Sequence, residues 1–294
     1  MDLRVLKYFV TIAQEESITK ASKLLYVSQP TLSRQIKDLE EELGKKLFVR
    51  SNYSVKLTKD GFLLRQKAME ILSMVKKTKD ELMATDNIDG GEIHIGCPES
   101  IGLTSLFKVI SDLNHDYPHI KYHVYSAAIC EVLDRLANGI IDLAIILQTV
   151  DVAKYNFIDL KHADTWGLIM KRDHPLAQKD TISKEDLFDV PLICSRESLK
   201  RELHFFFKDD ISKIDVIATY DLIFNATLMV RQNLGCILGL KNIINTDDNS
   251  DLCFRPLTPA LKSSLKLIWK KNQVFNPTVT ELMSRIFEFY SNKG

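Results

Sequence analysis

Between Ser28 and Ile36 the chain reads Ser-Gln-Pro-Thr-Leu-Ser-Arg-Gln-Ile, a run of short hydroxyl and amide side chains around one guanidinium. Such groups suit the major groove of DNA: Arg pairs bidentately with guanine, while Gln and Ser meet base edges or phosphates. The candidate contacts are Ser28, Gln29, Pro30, Thr31, Ser33, Arg34 and Lys37, with Arg50 and Lys56 beside the backbone. A helix must position them. Leu32, Ile36, Leu39 and Leu43 recur on one side of a helical wheel, leaving Pro30, Ser33, Arg34 and Lys37 on or near the other. Ser28 is the expected N-cap, Pro30 falls in the first turn where its missing N–H costs nothing, and Gly44 closes the helix. Glu40, Glu41 and Glu42 are expected to point away from phosphates.

Two helices precede it. Leu3, Leu6, Phe9, Val10 and Ala13 give the first a buried stripe, and Ser17 caps a short second one with Ala21, Leu24 and Leu25 inward. After Gly44, Leu47 to Thr58 reads as two short strands around an Asn-centred turn, a wing.

The stretch from Leu6-x-x-Phe9 through Ser28 to Glu40, then Leu43-Gly44-x-x-Leu47-Phe48-x-Arg50 and Leu57-Thr58-x-x-Gly61, resembles the LysR-type transcriptional regulators. Length and element order extend the resemblance over the chain, although only the first 60 or so residues are specific motifs. Ser22, Tyr53-Ser54 and Asp60 depart from the family pattern. The resemblance implies a regulator that binds promoter DNA as a homodimer or homotetramer, acts with RNA polymerase and responds to a small molecule.

From Thr58 to Asp86 there is no Pro, and Gly61, Leu64, Ala68, Ile71, Val75, Thr78 and Leu82 alternate three and four apart. That is a heptad seam on a helix of about 28 residues, roughly 42 Å long, a stripe that nothing within one small winged domain covers, the alternative being an amphipathic helix lying on its own domain. A second chain is the economical cover, and a two-fold pair would present two reading helices to an inverted repeat. Leu64, Ala68, Ile71, Val75 and Leu82 are the expected seam contacts. Asp86 to Gly91 reads as a linker.

Beyond it, strand-like and helix-like segments alternate, the mark of an α/β layer fold. Among them are a helix over Ile101 to Tyr117 with Leu106, Phe107, Ile110 and Leu113 inward, a strand over Trp166 to Met170, a helix over Leu199 to Phe207, and strands over Cys236 to Leu240 and Leu265 to Lys270. The run restarts near Thr165, which implies two lobes, and the resemblance implies a periplasmic-binding-protein-like effector domain whose chain crosses between lobes twice. The expected organisation is a winged helix-turn-helix over 1–60, a dimerisation helix and hinge over 61–89, and an effector domain over 90–294. Lobe I would comprise about 90–163 and 265–294, and lobe II about 164–264.

In such lobes ligands sit beyond the carboxyl ends of strands, facing helix N-termini. This selects Glu99 and Ser100, Ala128 and Ile129 within the next such loop, Gln148, Ser195 and Arg196, and Tyr220 with Asp221. Arg196 and the helix ends suit an organic anion, whereas Glu99 and Asp221 suit an amine-bearing or zwitterionic ligand.

Five cysteines at irregular spacing fit neither a disulfide framework nor a zinc knuckle. Cys97, Cys130 and Cys194 at strand or helix ends allow a thiol-based redox sensor, or a buried, inert role. His94, His123 and His162 lack metal-ligand spacing, so neither metal nor cofactor is expected. An enzyme using Cys97 or Cys194 is a remoter reading, since nucleophile-elbow, phosphate-loop, dinucleotide and zinc motifs are absent.

The net charge is zero over 294 residues. Residues 1–60 carry 11 Lys and Arg against 8 Asp and Glu, while residues 91–294 carry 23 against 26. Phosphate attraction must therefore come from local placement. No window reaches a membrane span, and Met1-Asp2-Leu3-Arg4 lacks a signal peptide's apolar core, so a cytoplasmic protein is expected.

Overall fold

A computed structural model describes residues 1–50, 55–83, 88, 90–147 and 151–291, without the side chains of Arg50, Asp80, Glu81 and Met83. The wing tip (51–54) and Gln148 lie outside the described residues. The chain divides into two compact units, Met1–Ala84 and Thr85–Gly294.

The first unit comprises α1 (Leu3–Glu15), α2 (Ile18–Leu24), α3 (Gln29–Leu43), β1 (Phe48–Arg50), β2 (Val55–Leu57) and α4 (Lys59–Met83). Each short helix starts at a side-chain cap: Asp2 accepts from Arg4 N, Ser17 from Lys20 N and Ser28 from Thr31 N. Gly44 ends α3 at φ 62°, a left-handed position that glycine adopts without strain. Phe9, Ile12, Leu32, Ile36 and Leu39 meet Leu47 and Phe48 in one core.

Some inward positions differ from the sequence expectation. Leu3, Leu24 and Leu43 are exposed, and Ser22 and Glu40 are buried. Ser22 satisfies itself by donating to Thr19 O at 2.9 Å. The strands β1 and β2 pair antiparallel, Val49 against Lys56. Thr58 begins α4, accepting from Gly61 N at 3.0 Å while donating to Lys46 O at 2.6 Å. Gly61 is required for close approach, because a Cβ there would lie 2.2 Å from Leu47 O.

The second unit runs β3 (Gly91–Gly96), α5 (Thr104–Asp116), β4 (Ile120–Tyr125), α6 (Ile129–Ala137), β5 (Leu143–Ile146) and β6 (Tyr155–Lys171). It continues with β7 (Pro191–Ser195), α7 (Arg196–Lys200), α8 (Glu202–Phe207), β8 (Asp215–Tyr220), α9 (Ile223–Arg231) and β9 (Cys236–Leu240). Then follow β10 (Leu252–Pro256), β11 (Lys262–Lys270) and α10 (Pro277–Ser291). The sheet order is β4-β3-β5-β11-β6-β9-β7-β8, with β10 also on β6.

Strand β6 carries the chain from one lobe to the next. Its first part pairs with β11 through Thr165↔Lys262, and from Trp166 and Gly167 onward it pairs with β9 and β10. Two cores lie on either side of that change: Ile93, Ile95, Leu106, Leu267 and Ile286 in lobe I, and Trp166, Leu192, Cys194, Phe207 and Leu238 in lobe II. Three features depart from the sequence reading. The strand expected from Trp166 begins at Tyr155, β10 appears where none was read, and the helix expected from Leu199 to Phe207 breaks at Arg201, φ −131° and ψ −88°. Phe107, expected inward, is 38% exposed. No described helix is long and apolar enough to cross a membrane.

Candidate functional site

On α3, Gln29, Pro30, Thr31, Arg34 and Lys37 are exposed and Ser33 is half-buried. The Ser28 hydroxyl is engaged with Thr31, 2.7 Å from its Oγ1. Pro30, Ser33, Arg34 and Lys37 line one shallow groove with Lys46 and Phe48, and Glu40 forms part of its floor. Lys37 reaches Glu41 at 3.4 Å, an exposed i,i+4 pair that phosphate oxygens can displace. Among the described residues Arg34 forms no ion pair. Lys56 is exposed on β2; Arg50 pairs with Val55 through its backbone.

Glu40 does not face outward as the sequence suggested. Its Oε1 accepts from Leu47 N at 2.8 Å and Phe48 N at 3.2 Å, and its Oε2 from Lys46 Nζ at 3.0 Å. Burial alone would raise this carboxyl, but the two backbone donors and Lys46 together outweigh it and hold the group below its ordinary value. The sequence reading missed Lys46, although a Lys pair directly after the helix-ending Gly44 was its visible signal. Tyr26, in the turn before Ser28, is 95% exposed and is not among the groove's lining residues.

Of the expected seam, Leu64, Ala68 and Ile71 pack into the core of their own unit, Ala68 with no exposure. Val75 is half-buried, and Leu82 is 82% exposed.

In the second unit a cavity of about 130 Å³ opens at the carboxyl ends of the strands, where the loops of both lobes meet. Pro98 and Glu99 enter after β3, Ser126 to Ala128 lead into α6 at Ile129, Ser195 ends β7, and Tyr220 ends β8 with Asp221 after it. Apolar walls come from Val132, Ile145, Leu147, Trp166, Leu240 and Ile243. The charged lining is uniformly acidic: Glu99, Glu197, Glu202 and Asp221, with no Lys, Arg or His among the described lining residues.

Glu99 bridges the lobes. Its Oε2 accepts from Ile223 N, the first residue of α9, at 2.8 Å, so a carboxylate of lobe I sits at a helix N-terminus of lobe II. Glu197 reaches Lys200 at 3.7 Å. Burial pushes the Glu202 carboxyl up. Burial, then the charges of Cys194 and Glu99, pushes the Tyr220 phenol up, and its hydroxyl donates to Leu238 O at 3.3 Å.

Ser100 and Arg196 are not among the cavity's lining residues. The Ser100 hydroxyl donates to Asp164 Oδ2 at 2.5 Å and accepts from Gly102 N at 2.9 Å, while Asp164 Oδ1 lies 3.1 Å from His162 Nε2. Arg196 opens α7 and is exposed. Glu197 and Glu202 were missed by sequence because their facing depends on the helix break at Arg201.

Burial pushes the Cys97 thiol up and that of Cys194 up to about 12, away from a reactive thiolate; Cys130 is exposed.

Residues 3–62 match the bacterial regulatory helix-turn-helix protein, lysR family, and residues 87–289 match the LysR substrate binding domain. An uncharacterised HTH-type transcriptional regulator of Bacillus subtilis strain 168, YwbI, is 31% identical over 282 residues, 93% of this chain and 91% of that relative. A probable RuBisCO transcriptional regulator of Phaeodactylum tricornutum is 32% identical over 193 residues, 65% of this chain and 62% of its own length, so this match spans less than two thirds of that relative. The solved structure of full-length CbnR complexed with its target DNA superposes with a TM-score of 0.73 at 20% identity, covering 98% of this chain and 100% of that one. With one matched region over the helix-turn-helix and another over the two-lobed unit, the chain belongs to the LysR family of DNA-binding transcriptional regulators.

Proposed function

We propose that this regulator responds to a small amine-bearing or zwitterionic effector held in the cleft between the lobes of its second unit. The observation that carries the reading is the acidic lining: Glu99, Glu197, Glu202 and Asp221, with no Lys, Arg or His among the described lining residues and with Lys200, the partner of Glu197, outside that lining. An organic anion would meet four carboxylates and find Arg196 off the cavity, whereas an ammonium group gains charge-assisted hydrogen bonds in a partly desolvated site. The aliphatic and Trp166 walls would hold an apolar body, the usual division of labour in small-molecule sites. Ser195, Ala128 and Ile129 would then orient the ligand through hydroxyl and backbone groups.

The DNA-reading half of the proposal assigns base and phosphate contacts to Gln29, Thr31, Ser33, Arg34 and Lys37, with phosphate contacts from Lys46, Arg50 and Lys56. Chains paired along α4 would each read one half-site. The effector acts only through unequal affinity for two arrangements of the lobes, and the Glu99 contact to α9 is a bond that ligand entry would compete with.

The test is a melting-temperature series on the full chain with matched pairs of small molecules, each amine against the carboxylic acid of the same skeleton. Ligands selective for the native state raise the midpoint. The reading expects amine-bearing members to raise it and the Glu197→Gln, Asp221→Asn double variant to lose that rise. Stabilisation by the carboxylic acids alone would reject it.

A further inference from the structure

Three side chains on lobe I have no part in either site described above. Glu92 and His94 lie two residues apart on β3, therefore on one face, and His123 stands directly opposite His94 in the parallel register of β3 with β4. The imidazoles stack, ring centroids 4.6 Å apart and 12° from parallel. The Glu92 Oε2 lies 3.5 Å from His94 Nε2 and 3.8 Å from His123 Nε2. One ligand atom from each residue falls within 4.8 Å of the others. The sequence offered no hint of this, because His94 and His123 are brought together by strand pairing rather than by spacing along the chain.

We propose that Glu92, His94 and His123 bind a divalent transition-metal ion of the zinc type. Zinc takes His nitrogen and carboxylate oxygen at about 2.0–2.2 Å, and tetrahedral bonds of that length place neighbouring donors about 3.4 Å apart. The two Glu–His separations are already close to that edge, and rotation of one imidazole closes the His–His side. Imidazole with carboxylate suits zinc, cobalt and nickel rather than magnesium or calcium. The ring nitrogens need no backbone movement, since both histidines hang from paired positions of one sheet.

The side chains are accessible, at 34% exposure for Glu92, 24% for His94 and 50% for His123. Lys121 stands opposite Glu92 in the same register, so its ammonium shares that face of the sheet and competes with a metal ion for the carboxylate. Three protein ligands leave a fourth position for water or for a donor from another molecule. Because β4 is the terminal strand of the sheet, an ion here would clamp the sheet's edge to β3.

The experiment titrates the full chain, freed of metal with a chelator, with zinc chloride in a calorimeter, and follows melting in parallel. The result expected is one ion per chain and a raised midpoint. His94→Ala and His123→Ala should each weaken binding at least about tenfold, a change of about 1.4 kcal/mol. Cys130→Ser should bind like the unaltered chain, because Cys130 is not in the site. Should an alanine variant fold poorly, Glu92→Gln keeps the side chain's size and still must weaken binding. Cobalt in place of zinc should give an absorption spectrum free of thiolate charge transfer. No saturable binding, undiminished binding in the His94→Ala, His123→Ala double variant, or a thiolate spectrum would overturn the proposal.

Discussion

Glu40 ties the last turns of the reading helix to the first strand of the wing, and its charge decides whether that join holds. Replacing it with Ala leaves Leu47 N–H and Phe48 N–H unpaired in a buried setting, an expected loss of about 2–3 kcal/mol in denaturant unfolding of the first unit. Because its folded carboxyl sits below the ordinary value, its contribution is full above the unfolded value of about 4.3 and is lost as pH falls through the lowered one. Acid unfolding of Glu40→Gln should therefore be flatter than that of the unaltered chain across that window. Arg34 works at the same scale. Arg34→Ala should cost about 1–3 kcal/mol in operator binding and relax preference at one base position, measured by anisotropy at matched salt; unchanged preference would remove it from base contact. Thiol trapping should label Cys130 in the native protein and the buried Cys97, Cys194, Cys236 and Cys253 only on unfolding. Equal labelling of Cys97 or Cys194 would favour redox sensing instead.

At the scale of elements, the caps were legible because each depends on a residue and its immediate neighbours: Ser17, Ser28 and Gly44 stand where the pattern placed them. Strand Tyr155–Lys171 was half-legible. Trp166 to Met170 is almost wholly buried and reads as an apolar run, but Asn156, Asp159, Lys161 and His162 interrupt the alternation before it, and Lys161 sits at φ 49°. The inward carboxylate of Glu40 was invisible, since a Glu on a helix's last turns is ordinarily solvated. Helix α4 mixes both outcomes. The spacing of Leu64, Ala68 and Ile71 is real, yet these residues cover the core of their own unit, so Ala68→Asp should lower its stability by about 3–5 kcal/mol. Pairing between chains would keep Leu82 of the expected seam and add the exposed Leu63 and Met74. Light scattering on Leu63→Asp, Met74→Asp should show dissociation with the melting of the unit retained; an unaltered oligomer would place the interface elsewhere.

At the scale of the whole molecule, Glu99 and Asp221 were readable as strand-end residues, while Glu197 and Glu202 joined them only once the break between α7 and α8 was known. Of the two ligand classes the sequence left open, an organic anion and an amine-bearing or zwitterionic molecule, the four together favour the second. Burial raises the Glu202 carboxyl, and a bound ammonium would lower it again, so ligand affinity should rise as pH climbs through the raised carboxylate range. The most direct measurement of the central claim follows operator binding by the full chain, at fixed salt, while the amine-bearing ligand is titrated in. The account predicts a change of at least about fivefold in operator Kd. It also predicts that Glu197→Gln with Asp221→Asn moves the required ligand concentration upward by at least about tenfold. An operator affinity indifferent to the ligand, or a double variant responding at the same concentration, would contradict it.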